Sequence, residues 1–222
     1  MKKHSFYIKS DKEQTREILK FSGIAFLVFL AIVLAALFFE WYYLPLFIAP
    51  VILTVLAPFI DMPQGRKKGN LIYYTPLFIT EKEKDGRIII HGGTLFDYYY
   101  MIDRNWKGKQ RIRFILSQYI LGLVKLSESF SEKEAEKITL EGTSYILNDR
   151  TAEKLGFRRK ETNLLQRFIL TYNYLQILLA NSIAKGKLSF PTIGRVSTFT
   201  APLSVIKANK NYLYKLAEKL ED

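Results

Sequence analysis

The chain of 222 residues carries 33 Lys and Arg against 21 Asp and Glu, a formal charge of +12, and no cysteine. Without thiols there are no disulfides, no thiolate nucleophile and no Cys-ligated zinc or iron–sulfur site. His4 and His91 are the only histidines, which removes a histidine-rich metal centre too, so neither metal nor cofactor is expected.

Residues 1–20 read as a charged cytoplasmic leader, in which Glu13 and Glu17 can pair with Arg16 and Lys20 at helical spacing. It is expected to be a solvated face at the headgroup layer. The stretch from Phe21 to Ile60 then organises everything else. Residues 21–39 are charge-free and apolar on all sides, as are residues 41–60, with Glu40 between them. A helix apolar all round needs an apolar surrounding, and about 20 residues span the hydrocarbon layer. Pro45, Pro50 and Pro58 would break a soluble helix but are tolerated in membrane helices, while Trp41, Tyr42 and Tyr43 suit the headgroup layer. The expectation is a two-helix transmembrane hairpin. Lys2, Lys3, Lys9, Lys12, Arg16 and Lys20 precede it and Arg66, Lys67 and Lys68 follow, whereas the turn holds no basic residue. Positive flanks stay inside, so the chain is expected in the inner (plasma) membrane as a multi-pass protein with both termini cytoplasmic.

Residues 61–70 read as a basic linker punctuated by Pro63, Gly65 and Gly69. Its Arg66, Lys67 and Lys68 would each gain about 1 kcal/mol near an anionic leaflet. Residues 71–222 read as one cytoplasmic α+β domain. Leu71 to Thr80 and Arg87 to His91 form strands joined through Asp85-Gly86, a hairpin signal. Thr94 to Ile102, dense in aromatics, reads as a third strand covered on both faces. Arg111 to Leu126 has apolar residues at helical spacing, and Ser131 with Glu134 makes a capping box for a short helix. Lys137 to Leu147 reads as a strand, and Asn148 or Asp149 caps a short helix closed by Gly156. Asn163 opens a helix running to about Lys185, read as the central buried helix, with a third membrane segment as the alternative. Arg195 to Thr200 reads as a last strand, and Pro202 to Leu220 as an amphipathic helix.

The candidate sites follow from this layout. Asp97 among Tyr98, Tyr99 and Tyr100 is either a buried acid suited to proton transfer or a carboxylate paired with Arg87, Arg111 or Arg113. Arg158, Arg159 and Lys160 form the densest cationic cluster of the domain and, with the linker cations, a binding set for lipid headgroups or other anions. His91-Gly92-Gly93 and Gly142-Thr143-Ser144 suggest fragments of a hydrolase site, but Ile146 replaces the second glycine of a nucleophile elbow and no histidine follows Ser144. That chemistry is excluded. The charges are scattered rather than striped, so nucleic acid is not an expected partner.

Asn148 to Phe157, reading N-D-R-T-A-E-K-L-G-F, resembles the terminal signature of the GNAT acetyltransferase family. The resemblance implies an acyl-coenzyme A pocket involving Asn148, with Arg104, Gly108 and Asp97 as further candidates, although Arg104 to Gln110 lacks the family's arginine-x-x-glycine-x-glycine loop. Two functions are therefore carried forward. The first is a membrane-anchored scaffold or accessory module whose basic domain binds an anionic bilayer and a membrane or cytoplasmic protein. The alternative is a membrane-tethered acyltransferase acting at the inner leaflet.

Overall fold

Helix α1 (Asp11–Phe38) starts where Ser10 and Glu13 cap each other: the Ser10 N–H donates to Glu13 Oε2 at 2.8 Å, and the Glu13 N–H reaches Ser10 Oγ. The structure, a computed structural model, describes residues 3–144, 147–192, 194 and 196–221, with the backbone alone at Glu221. At 1.5 Å per residue, α1 is roughly 42 Å long. It ends with Glu40 in the left-handed region (φ 61°) and the Trp41 N–H on the Ala36 carbonyl at 2.8 Å. This is the six-to-one closure of a helix C-terminus, made here by a residue other than glycine. Helix α2 (Leu44–Lys67) returns alongside α1, with Pro50, Pro58 and Pro63 inside it. Both helices are long and apolar enough to cross a membrane, and few of their side chains are buried within the chain.

Arg66 and Lys67 continue α2, and Lys68 is its C-cap, so the basic segment is part of the helix end. Phe59 and Met62 are buried beneath the domain, and this packing holds the last turns helical past Pro63. Gly69 (φ 72°) closes the helix, with the Asn70 N–H on the Gly65 carbonyl at 2.9 Å.

An α+β region with one mixed sheet follows. Strands β1 (Leu71–Thr75), β2 (Phe78–Glu81) and β3 (Arg87–Gly92) form an antiparallel meander. Asp85 and Gly86 both have positive φ in a two-residue turn between Lys84 and Arg87, as the Asp-Gly pair predicts. Helices α3 (Leu95–Met101), α4 (Gly108–Glu128) and α5 (Glu132–Ala135) cross over to β4 (Thr139–Ser144), which pairs parallel with β3. Then come α6 (Asp149–Lys154), β5 (Arg158–Lys160), α7 (Leu164–Tyr172), α8 (Tyr174–Lys185), β6 (Ser197–Pro202), α9 (Leu203–Ala208) and α10 (Lys210–Glu221). Strand order is β1-β2-β3-β4-β6-β5.

One sheet face carries Phe78, Ile88, Leu140 and Phe199, which pack with Leu123 and Val124 of α4, Ile206 of α9 and Leu213 of α10. Gly122 lets α4 approach closely, since a Cβ there would stand 2.3 Å from the Phe78 side chain. The other face is divided. At β1 and β2, Tyr73 and Ile79 meet the end of the hairpin, α3 and the N-terminal residues. At β4, β5 and β6 it is polar, with Glu141, Thr143, Thr198, Thr200, Arg158 and Lys160 in register.

Three further sequence expectations change. Thr94 to Ile102 forms helix α3, not a strand, because Asp97 caps it from the third position and buried residues surround it on several sides. The helix expected from Asn163 to Lys185 breaks at Asn173, whose side chain donates to the Ile169 carbonyl at 2.9 Å. Among the described residues, only α1 and α2 have the length and hydropathy of a membrane span. The C-terminal helix is two helices parted at Asn209, and the cationic cluster Arg158 to Lys160 lies on an edge strand. The expected strand from Lys137 is β4; its continuation through Tyr145 and Ile146, and the expected start of the last strand at Arg195, lie outside the described residues.

Candidate functional site: a polar knot joining the leader, the hairpin and the sheet

Asp97 is fully buried, and four donors converge on its carboxylate. Oδ2 accepts the Thr94 N–H and the Thr94 hydroxyl, each at 2.7 Å. Oδ1 accepts the Tyr73 hydroxyl at 3.0 Å and lies 3.2 Å from His4 Nε2. The Phe6 N–H donates to His4 Nδ1 at 3.3 Å, which makes Nδ1 the acceptor and leaves Nε2 as the ring N–H facing Asp97. The His4 ring stacks on Phe96 with centroids 5.4 Å apart, and buried Phe6 meets the same ring edge-on at 4.9 Å. The Tyr7 hydroxyl donates to that of Tyr73 at 3.2 Å, and the Arg66 guanidinium lies 3.8 Å from the Tyr7 ring centre.

The leader is therefore not a solvated face. Its turn from His4 to Tyr7 is inserted between α3, β1 and the end of α2, with exposed Lys3 before it and the mostly exposed charged stretch from Lys9 after it. There Lys9 pairs with Glu17 at 2.8 Å, and Glu17 Oε2 accepts the Tyr100 hydroxyl at 3.2 Å. Burial is the main cause pushing the Tyr7 and Tyr73 phenols well above their ordinary range; at Tyr73 the Asp97 carboxylate adds to it, while for Tyr7 the hydrogen bond to Tyr73 acts the other way. Both phenols are held neutral, and each Asp97 oxygen is met by two donors, one set from Thr94 at the start of α3 and one from the leader and β1. The chemistry of the knot is that of a clasp.

The arginines expected beside Asp97 are elsewhere. Arg111 donates to the carbonyls of Ile183, Arg104 and Trp106 at 2.7 to 2.8 Å, holding the end of α8 against the start of α4. Arg113 reaches the Lys219 carbonyl at 3.3 Å, and Arg87 lies at the open polar face.

The expected cation set is divided by the fold. Arg66, Lys67 and Lys68 end α2, all exposed, with Arg66 stacked on Tyr7. On β5, Arg158 and Lys160 project to the polar face and Arg159 to the opposite one. Arg159 pairs with Asp149 at 3.1 Å and Lys160 with nearly buried Glu141 at 3.1 Å. Arg87, Lys137, Lys160, Glu141, Thr139 and Thr200 border an open hollow of about 420 Å³.

Asn148 caps α6: its Oδ1 accepts the Thr151 N–H at 2.9 Å. Arg104 and Gly108 come together around Arg111 and Lys185, where a Cβ on Gly108 would stand 2.3 Å from the Lys185 carbonyl. None of the three borders either hollow described here. The second hollow, about 470 Å³ and mainly apolar, lies at the joint between Phe21, Val55 and Phe59 of the hairpin and Leu179 and Ile183 of α8. Among the described residues no three His, Asp or Glu side chains group as metal ligands.

Sequence reasoning missed His4, Tyr7 and Tyr73. The available signal was the aromatic pair Phe6-Tyr7 ahead of the charged helix. No family model matches the chain, and no curated protein or solved structure is similar enough to lend it a fold or a function.

Proposed function

We propose that the chain is a membrane-anchored accessory or scaffold protein. In this reading α1 and α2 cross the inner membrane as a hairpin with both termini in the cytoplasm, and the basic α+β domain sits against the anionic leaflet and offers its open sheet face to a protein partner. The observation that carries the reading is the pairing of two long helices whose apolar side chains face outward with basic residues at both outer ends and none in the turn. Phe26, Leu27, Phe38, Leu46 and Phe47 are exposed in isolation, and a bilayer is the surrounding that would cover them.

The clasp supports a fixed module rather than a tethered one. Phe6, His4, Phe59 and Met62 are buried with Ile79 and Phe96 of the domain, so the domain is held from both ends of the hairpin. Arg66 to Lys68 then stand where the domain would meet headgroups. In the open hollow Arg87, Lys137 and Lys160 outnumber Asp85 and Glu141, a modest positive balance that suits an acidic surface on a partner.

A reporter that functions only in the cytoplasm, fused after Asp222, tests the orientation, paired with a cysteine in the turn at Tyr42 probed by a membrane-impermeant maleimide. The expected result is an active reporter and a turn labelled from outside. A silent reporter, or release of the protein from membranes by alkaline carbonate, would overturn the reading.

A further inference from the structure

We infer that α7 is an in-plane membrane helix, lying in the headgroup layer of the leaflet from which the hairpin emerges. The inference rests on the proposed hairpin topology and adds a second, lateral contact with the same bilayer.

The orientation of α7 is fixed by its polar residues. Asn163 Oδ1 accepts the Gln166 N–H at 2.7 Å, and Gln166 Oε1 accepts the Thr198 hydroxyl of β6 at 3.1 Å. Gln166 therefore turns toward the sheet. Leu164, Phe168 and Tyr172, four residues apart, turn away from it, and Leu165 and Ile169 are exposed on the flank of the same helix. Leu164 is 83% exposed and Phe168 67%. A helix of a soluble domain faces its apolar stripe inward; α7 does the reverse.

The neighbouring chain points to lipid as the occupant. At Asn173, α7 leads directly into α8, whose Leu179 and Ile183 pack with Val55 and Phe59 of α2. Val55 lies within the segment assigned to the bilayer, so α8 reaches the level of the inner leaflet, and its flanking segments emerge close to lipid. After α8, Leu188 and Phe190 are exposed in the same way. Arg167 on α7, and Lys185 and Lys187 next to Leu188, are exposed, and α7 contains no acidic residue, a distribution complementary to anionic headgroups. Nine residues span only about 14 Å, too short to cross, and a one-sided stripe fits an interface rather than the bilayer centre.

Because the natural chain has no cysteine, single nitroxide labels can be placed cleanly. Phe168→Cys, Leu30→Cys and Lys133→Cys would be labelled in the full chain, reconstituted in phosphatidylcholine–phosphatidylglycerol vesicles, and compared for relaxation by oxygen and by a water-soluble nickel chelate. The expected result is oxygen dominant at Leu30 and, less strongly, at Phe168, with the chelate dominant at the exposed Lys133 of α5. A Phe168 label as chelate-accessible as Lys133, with Leu30 still shielded, would overturn the in-plane helix and leave the hairpin standing. Chelate access at Leu30 would overturn the hairpin and the inference with it. Spin–spin broadening at Phe168 that persists at low protein-to-lipid ratio would assign the face to a second copy instead.

Discussion

His4 Nε2 and Asp97 Oδ1 meet at 3.2 Å across a separation of 93 residues, both buried. The contact joins the leader to the first turn of α3 and so bridges the two ends of the hairpin region. It fixes where the domain sits relative to α1 and α2 more firmly than the short connection at Gly69 and Asn70 can.

Replacing His4 by alanine removes one of four donors from a buried carboxylate and opens a space beside Phe96. The expected loss of stability is about 1–3 kcal/mol, the cost of leaving a buried polar group short of a partner. Asp97→Ala should cost at least as much, because it strands the Thr94 N–H, the Tyr73 hydroxyl and His4 together. Thermal unfolding in detergent measures the first effect. Limited proteolysis should show the leader becoming cleavable ahead of Ser10 in both variants. An unchanged midpoint and an uncleaved leader would mean that the clasp contributes nothing.

Alkali should loosen the same clasp. Burial raises the Tyr7 and Tyr73 phenols above the ordinary value of 10.0, so above that pH the unfolded chain releases protons that the folded chain retains. Stability from these groups is complete below pH 10 and falls as pH rises beyond it. The check is a set of unfolding midpoints between about pH 8 and 11, with phenolate absorbance followed in parallel. These half-buried tyrosines should ionise only as the protein unfolds. Their titration at the ordinary value in the folded protein would contradict the burial described here.

The hairpin was legible in the sequence because a bilayer-length apolar run leaves its mark residue by residue, and the turn at Asp85-Gly86 because left-handed φ has few suitable residues. Helix α3 was not legible. Phe96, Tyr98 and Tyr100 carry strand propensity, yet Thr94 and Asp97 close a capping pair and nearby groups bury opposite sides of the segment, so tertiary packing overrides propensity. The clasp was hidden for another reason. Asp97 invited pairing with the abundant arginines, whereas its partners are neighbouring Thr94, His4 from ahead of the hairpin and Tyr73 from after it. The outward stripe of α7 was present as spacing, but spacing alone does not say whether a stripe faces a core or lipid.

Glutamine at Arg66, Lys67 and Lys68 together should weaken contact between the domain and anionic vesicles without unfolding the domain, since exposed charges seldom hold a fold together. The structure separates the three. Arg66 stacks on Tyr7 at 3.8 Å, so Arg66→Gln alone should also cost roughly 0.5–1 kcal/mol of stability, while Lys67→Gln and Lys68→Gln should not. Accessibility of a label on the domain to a lipid-phase quencher, compared between anionic and neutral vesicles, reads the first effect, and unfolding midpoints read the second. Equal quenching in all variants would leave these cations a role in insertion topology only.

The acyltransferase alternative is tested best at Asn148. Its Oδ1 accepts the Thr151 N–H at 2.9 Å, and α6 closes at Gly156, which sits at φ 91° against Val205 and Ile206 of α9. Each feature that resembles an acyl-coenzyme A signature therefore has a local structural cause: a cap, a short helix and a left-handed stop. Asn148→Ala should lower stability by about 1 kcal/mol, and Asn148→Ser should restore most of it, because serine caps nearly as well. Acetyl-coenzyme A should shift the unfolding midpoint of neither the parent nor the variants. A stabilising shift in the parent that disappears in both Asn148→Ala and Asn148→Ser would tie the asparagine amide to a ligand, since capping alone would survive the serine change. That result would favour the acyltransferase alternative over the proposed scaffold.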